Sequence, residues 1–410
     1  MFLPVVLCDL DAAFLGFELL RRPELAGRPV IIGGDAAARG VVATCSYEAR
    51  AYGVHSAMSA AQAARLCPQA VWLPVDIPYY RGMSRRFREV ATSGVAVTEP
   101  VALDEVYLDL AGQGHSFPDT EAFCRDLQRR IRQEVGLRCS IGAATGPRLA
   151  KVTCELWAKP GRIALLPPEE AARRLSPHAL AVLPGIGEAS ATRLARHGLR
   201  TCGDLVAAPT ALVAALLGSR AADLQALARG QDGRLVTPPG PAKSLSVEET
   251  FPRDLEATGA EARGVMVRMA WQLGGRLAAA GRVPRRVAVR WRTAAFADGS
   301  AQRTLSQPLQ SRMDLRNVAL TLWAGHAPRL GQIRLLGVEA GGLEQRQPGV
   351  LPPHRLEDVL AELEAEGTPL WPASLVGRGK SAPGGPTVRG TPEPDGGARG
   401  VAGLGEPPAR

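Results

Sequence analysis

Lysine is nearly missing from this sequence. Lys151, Lys159, Lys243 and Lys380 are the only four among 49 basic residues, so the positive charge is almost entirely arginine. A GC-rich genome produces that bias without a functional cause, and arginine abundance alone carries no inference. Paired cysteines are missing too. The seven (Cys8, Cys45, Cys67, Cys124, Cys139, Cys154, Cys202) are scattered, odd in number and form no C-x-x-C, which excludes a disulfide framework and a cysteine zinc site. They read as reduced, mostly buried thiols, as expected of a cytoplasmic protein. No stretch approaches the roughly 20 apolar residues that span a bilayer. The opening residues, MFLPVVLCDLDAAF, have no basic start and meet acids early, so no signal peptide is expected. Membrane and secreted classes drop out.

What remains is a chain of 410 residues, 46% hydrophobic and formally +9, long enough for two to four structural units. The charge is uneven. Residues 241–344 hold 15 basic and 9 acidic groups, whereas 1–165 hold 19 and 17 and 166–240 hold 8 and 6. A positive excess favours an anionic partner, with nucleic acid the first candidate. Pro/Gly linkers lie near 165–171 (LLPPEEA) and 236–243 (VTPPGPAK), and from about 377 the composition is that of a disordered tail. Patterning predicts strands at 5–7, 95–99, 106–110 and 138–144, helices at 79–91 and 119–135, and short helices between 168 and 230. The third unit reads as a strand, a helix at 260–280, two strands, a helix and a strand at 333–338. Such an order is α+β rather than a regular βαβ series.

Two acidic sites stand out. VVLCDLD ends an apolar strand in Asp9 and Asp11, and PVALDEVYLDL puts Asp104 and Glu105 at the mouth of another. A carboxylate beside such strands is costly unless paired or metal-bound. If the strands are neighbours, Asp9, Asp104 and Glu105 converge, and oxygen ligands of that kind suit Mg²⁺, with two ions about 4 Å apart. Acids at strand ends also serve as turn and cap residues, and the pattern alone leaves both readings open. Tyr47 and Arg50 are three apart, hence on one helical face, with Thr44 at its entry; hydroxyl, phenol and guanidinium there could converge on a triphosphate.

DLDAAF, then GVVATCSYEARAYGVHSAMSAAQAARLCP (40–68), then ALDEVYLDL stand in the order and spacing of the Y-family, or translesion, DNA polymerases, and the chain resembles their bacterial DNA polymerase IV branch over about residues 3–344. The resemblance implies a multidomain right-hand polymerase: a catalytic palm (1–10 and 78–165), small fingers (11–77), a helical thumb with a helix–hairpin–helix (166–240), an α/β little finger (241–344) and a tail (345–410). It implies metal held by Asp9, Asp104, Glu105 and the carbonyl of Leu10, with Asp11 outside the set. It places Phe14 as a steric gate against a 2′-OH, Thr44, Tyr47, Arg50 and Lys159 on the dNTP phosphates, and Val41, Ala43 and Ala57 as a lid over the base pair. Small lid residues leave room for a damaged template base. Ala13, Ala102 and RLAK (148–151) depart from the family pattern, which bears on sugar discrimination and rate.

LPGIGEASATRLARHGLRTCGDL (183–205) is a helix–hairpin–helix signature in which Gly185 and Gly187 allow a tight hairpin whose N–H groups grip a phosphate. Arg286, Arg290 and Arg292 alternate with Val287, Val289 and Trp291, a strand with one basic and one apolar face. The basic face is expected to lie along DNA. In the tail, 356–367 reads as a short acidic helix, and QRQPGVL (345–351) is a weak candidate for docking on a sliding clamp. The expectation is therefore a monomeric, cytoplasmic, Mg²⁺-dependent polymerase acting on primer–template DNA and dNTP, with no membrane partner. A catalytically silent DNA-binding accessory homologue and a two-metal nuclease are the alternatives.

Overall fold

The computed structural model describes residues 3–36, 39–113 and 119–346. The chain opens on β1 (Val5–Leu10), every residue of which is buried. A strand buried throughout needs cover on both faces, and period two sorts its side chains between them. Val5 and Leu7 enter a core shared with the helices that follow residue 147, whereas Val6, Cys8 and Leu10 enter one built with helices Ile77–Thr92 and Thr120–Arg130. Asp9 falls on the Val5–Leu7 face.

The chain then leaves this sheet. Helix Ala13–Arg21 leads to β2 (Val30–Gly33), β3 (Val42–Cys45) and β4 (Val71–Leu73), a small sheet in the order β3–β2–β4 with apolar clusters of its own. Helix Ile77–Thr92, whose cap Asp76 accepts from the Tyr79 amide, brings it back. There β5 (Val97–Pro100), β6 (Glu105–Asp109), β7 (Cys139–Ala144) and β8 (Ile163–Leu165) complete a five-stranded sheet ordered β5–β6–β1–β7–β8.

The helices between 168 and 228 do not form a separate core. Leu175, Leu183, Leu194, Leu205 and Leu224 join Val5, Leu7 and Ala144 in one cluster, so this unit is built onto the Val5–Leu7 face of the sheet. Within it, Thr210–Ala228 is apolar and long enough to cross a membrane by composition, but the chain turns at Gly218 (φ 65°) and buries Val213, Leu217, Leu224 and Leu227 in the shared core. The following segment is tied down as well: Asp232 accepts from the amides of Arg148 (2.6 Å) and Leu149 (3.2 Å), and Glu99 accepts from the Thr237 amide (2.9 Å).

The last unit is an antiparallel sheet of β9 (Ser244–Glu256), β10 (Arg282–Thr293), β11 (Asp298–Thr304) and β12 (Gln332–Gln345), ordered β11–β10–β12–β9. Helices Ala260–Ala279 and Arg312–Ala324 cover one face. An ion pair, Arg39 to Asp254 at 2.6 Å, joins this unit to the small sheet. β12 runs beyond the predicted 333–338 and takes Gln345 into its pairing with Arg282. The clamp-docking candidate therefore begins inside a strand. Its remainder from 347, the acidic segment 356–367 and the tail lie outside the described residues.

Candidate active site

Register places the acids. β1 pairs antiparallel with β6 so that Asp9 stands opposite Glu105, and both share the face of Leu7 and Tyr107. Over that face lies helix Pro147–Thr153, running into a π-turn at Cys154–Ala158 that closes through the Lys159 amide on the Cys154 carbonyl (3.0 Å). Gly142 on β7 lets the helix come this close. A Cβ there would lie 2.3 Å from the Ala150 carbonyl oxygen and 2.5 Å from the Cys154 amide nitrogen, distances no side chain tolerates. The helix consequently delivers Lys151, Glu155 and Lys159 onto the acids. Lys159 Nζ is 2.9 Å from both Asp9 and Glu155, and Lys151 Nζ lies 2.9 Å from Glu155 and 3.4 Å from Asp9 while also bonding Glu105.

Burial pushes the Asp9 carboxyl up to about 6, reinforced by the Glu105 carboxylate and opposed by Lys159. Burial likewise raises Asp104, with the Asp9 charge adding to it. For Lys151 and Lys159 burial alone would favour the neutral amine, but their carboxylate partners raise both well above the ordinary lysine value. Glu155 is held low by the two ammonium groups despite its burial. Oxygens of Asp9, Glu105 and Glu155 lie within 4.8 Å of one another. The donors are all oxygen, and two ammonium groups stand among them where cations are electrostatically required. That set fits a hard divalent cation.

The predicted and observed clusters differ in membership. Asp104 touches the site through its backbone, its carbonyl accepting from the Leu10 amide (2.9 Å), but its carboxylate is not among the three that gather. Glu155 joins Asp9 and Glu105 there, and neither it nor Lys151 was anticipated. A signal existed: in a chain with four lysines, two flank Glu155 at spacings of four. Asp11 lies outside the gathered acids, its Oδ1 accepting from Ser140 (2.6 Å), while its buried Oδ2 has no hydrogen-bond partner among the described residues.

Phe14 lies half-buried against Tyr80, whose hydroxyl donates to Glu18 (2.7 Å). Tyr47 and Arg50 fall in one short helix, Tyr47–Arg50, both exposed, with the guanidinium 5.2 Å from the ring centre. Thr44 is not at its entry. It belongs to β3, and Ser46 takes the cap, its hydroxyl accepting from the Ala49 amide (3.2 Å). Val41 is exposed and bridged to Ser59, Ala43 is half-buried on β3, and Ala57, with left-handed backbone (φ 67°), donates its amide to the Val42 carbonyl.

Gly185 adopts φ 103°, where a side chain would be strained, and its carbonyl accepts from Arg220 (2.8 Å). Gly187 begins helix Glu188–Ala195, with open space around its Cα. The arginine face of β10 differs from expectation. Arg286 and Arg290 both bond Glu339 of β12, and Arg292 holds Asp298 of β11 in a two-pronged pair at 2.6 and 2.9 Å. Register explains it: Gly341 and Gly337 stand opposite Arg286 and Arg290, Arg286 folds over Gly341, Glu248 of β9 covers Gly337 and meets Arg290 at 3.8 Å, and both arginines reach Glu339 between the glycines. The face is a lattice of paired charges rather than a row of bare cations.

A divided chain in which an acid-bearing five-stranded sheet carries helices on both faces, a small inserted sheet and a separate four-stranded unit is the fold of the Y-family DNA polymerases. It is similar to a Y-family chimera, Dbh-Dpo4(243-245)-Dbh (TM-score 0.77, 22% identity, 83% of this chain and 99% of that one), and to an insertion ternary complex of Dbh DNA polymerase (TM-score 0.60, 21% identity, 84% and 99%). Residues 8–155 match the impB/mucB/samB family and 242–351 match its C-terminal domain, and the chain belongs to that family. It is similar to proteins named DNA polymerase IV from Methanoculleus marisnigri (37% identical over 344 residues, 82% of this chain and 95% of the relative) and from Halorhodospira halophila (34% over 343 residues, 84% and 96%).

Proposed function

We propose that this chain is a template-directed DNA polymerase that adds dNTPs to a primer 3′-OH and synthesises across damaged template. The observation that carries this reading is the pairing of Asp9 with Glu105 across β1 and β6 beneath Lys151 and Lys159. Asp9, Asp104 and Glu105, with the Leu10 carbonyl, would hold two Mg²⁺ ions. When bound, such ions lower the pKa of the attacking hydroxyl and neutralise charge on the departing pyrophosphate. The bond from the 3′-oxygen to the α-phosphorus forms as the α–β bridge breaks, and the hydroxyl proton leaves to solvent.

The residues divide the remaining work. Tyr47 and Arg50 sit exposed where a triphosphate can reach them, and the guanidinium offers a fork suited to phosphate oxygens. Lys159 keeps a charged ammonium beside Asp9, ready to exchange that carboxylate for a phosphate oxygen. Phe14 presents a ring held from behind by Tyr80, positioned to exclude a 2′-hydroxyl. Gly185 and Gly187 grip the duplex backbone without reading its bases. A cytoplasmic enzyme is in keeping with seven free, buried cysteines, and a monomeric state and a sliding-clamp partnership rest on family likeness. Primer extension by wild type but not by Asp9→Ala or Asp104→Ala is the expected result. Equal residual extension in all three would remove the catalytic assignment, and primer degradation without dNTP would indicate a nuclease.

A further inference from the structure

Helix Thr120–Arg130 and the turn after it carry Arg125, Gln128, Arg129 and Arg132 at positions i, i+3, i+4 and i+7, a single stripe on one face. The stripe walls a cavity of about 370 Å³ whose opposite side is Arg138, Cys139 and Gly161. Gln128 fastens the two walls, its amide donating to the carbonyls of Cys139 (2.9 Å) and Gly161 (3.3 Å). Gly161 is two residues beyond Lys159. Through Arg132, Leu137 and Arg138 the cavity shares a wall with a second one, of about 380 Å³, bounded by Arg28 and Tyr47. The second cavity is lined by Asp11, two residues beyond Asp9, and by Tyr47, the residue expected on the triphosphate.

The cations here differ from those of β10. Among the described residues Arg28 and Arg138 make no salt bridge, and Arg132 bonds only the Gly136 carbonyl (3.4 Å). Arg125 and Arg129 pair one turn back, with Glu121 and Asp126, and no acid lines the stripe's cavity; Asp11 and Glu48 line the neighbouring one. Forked, permanently charged donors around a solvent-open groove suit a polyphosphate anion. The two lysines of the acid cluster are engaged by carboxylates, whereas Arg28, Arg132 and Arg138 are held by no carboxylate among the described residues.

We propose that this arginine-walled groove binds inorganic pyrophosphate, the leaving group, on its way out of the active site. The assignment rests on the polymerase reading. Titration calorimetry of the full chain with inorganic pyrophosphate in EDTA tests it, because the bare acid cluster repels the anion. Arg132 and Arg138 are exposed, so an Arg132→Gln/Arg138→Gln variant keeps the fold. Losing two charge-assisted contacts should weaken pyrophosphate binding about tenfold or more. The dNTP KM in primer extension should stay within about twofold if these side chains meet only the departing anion. Unchanged pyrophosphate affinity in the variant overturns the groove. A parallel rise in dNTP KM, or equally arginine-dependent binding of a non-hydrolysable dNTP, overturns the leaving-group assignment by placing the arginines in the substrate pocket. Arginine-dependent pyrophosphate binding in a wild-type chain that extends no primer would overturn both that assignment and the polymerase reading, whereas extension with arginine-independent binding sinks the groove alone.

Discussion

Phe14 and Tyr80 stack with ring centres 4.5 Å apart and planes inclined by 22°. An aromatic ring beneath a sugar discriminates by bulk only if it cannot retreat, and Tyr80, fully buried, closes off that retreat. Phe14→Ala should therefore raise ribonucleotide incorporation by at least about tenfold, since roughly 1.4 kcal/mol of lost discrimination suffices. Single-nucleotide insertion with matched rNTP and dNTP gives the ratio. Unchanged sugar selectivity would remove Phe14 from the gate.

The stack is anchored by a buried carboxylate. Burial would raise the Glu18 pKa, but hydrogen bonds from Arg21 and Tyr80 outweigh it and hold the group below its ordinary 4.5. A depressed folded pKa means that the unfolded chain binds more protons on acidification. The stabilisation is thus complete above about pH 4.5 and lost as pH falls through the folded value. Glu18→Gln should lower stability at pH 7 by about 1–3 kcal/mol. Its Tm should also fall less than the wild-type Tm when the pH is lowered from 7 to 3.5, narrowing the gap between them. A gap that is constant with pH would show that Glu18 packs without acting as a charge.

Gly142 controls how closely the lysine helix approaches the acids. In Gly142→Ala the new methyl meets backbone on two sides, so the helix must lift. Overpacking of this kind costs about 1–3 kcal/mol, and polymerase activity should fall further than the loss of folded protein explains. Gly82, in helix Ile77–Thr92, is the control: nothing lies within 4 Å of a Cβ there, and Gly82→Ala should stabilise by about 0.5–1 kcal/mol with activity intact. Thermal unfolding and primer extension on both variants separate a local packing effect from a generic one.

These cases mark what the sequence made legible. Period two and the apolar runs revealed β1, β6 and β7, and through them the face on which Asp9 and Glu105 meet. That the two strands are neighbours was left conditional by the pattern and comes from the β1–β6 pairing. Glu155 escaped because a Lys–Glu–Lys run at spacings of four reads equally as an ordinary solvated helix face, and only the packing of that helix over β1 brings it to the acids. Thr44 was misplaced for a related reason: the boundary between β3 and the short helix is set by the Ser46 cap, a choice of one hydroxyl among several in ATCSYE. Charge by segment counted the basic excess of the last unit but could not show that the β10 arginines are paired, because cross-strand partners are fixed by register and register is not written along one strand.

Glu339 is the clearest instance, and it carries a prediction opposite to what arginine counting suggests. Its two oxygens hold Arg286 and Arg290, and its side chain is only 10% exposed, so both guanidiniums are drawn towards the sheet and away from any phosphate above it. Glu339→Gln keeps the shape but releases the charge. If β10 lies along the DNA backbone, the two arginines become free to displace counterions. Affinity for primer–template should then rise, and the slope of log K against log salt should steepen by about one to two units, close to 0.9 for each phosphate contacted. Fluorescence anisotropy across a salt series measures both. Removing the arginines themselves, as Arg286→Gln/Arg290→Gln, should leave a shallow slope even in the Glu339→Gln background. Equal slopes for wild type and Glu339→Gln would mean that this face does not meet DNA, and that the excess charge of the last unit acts elsewhere on its surface.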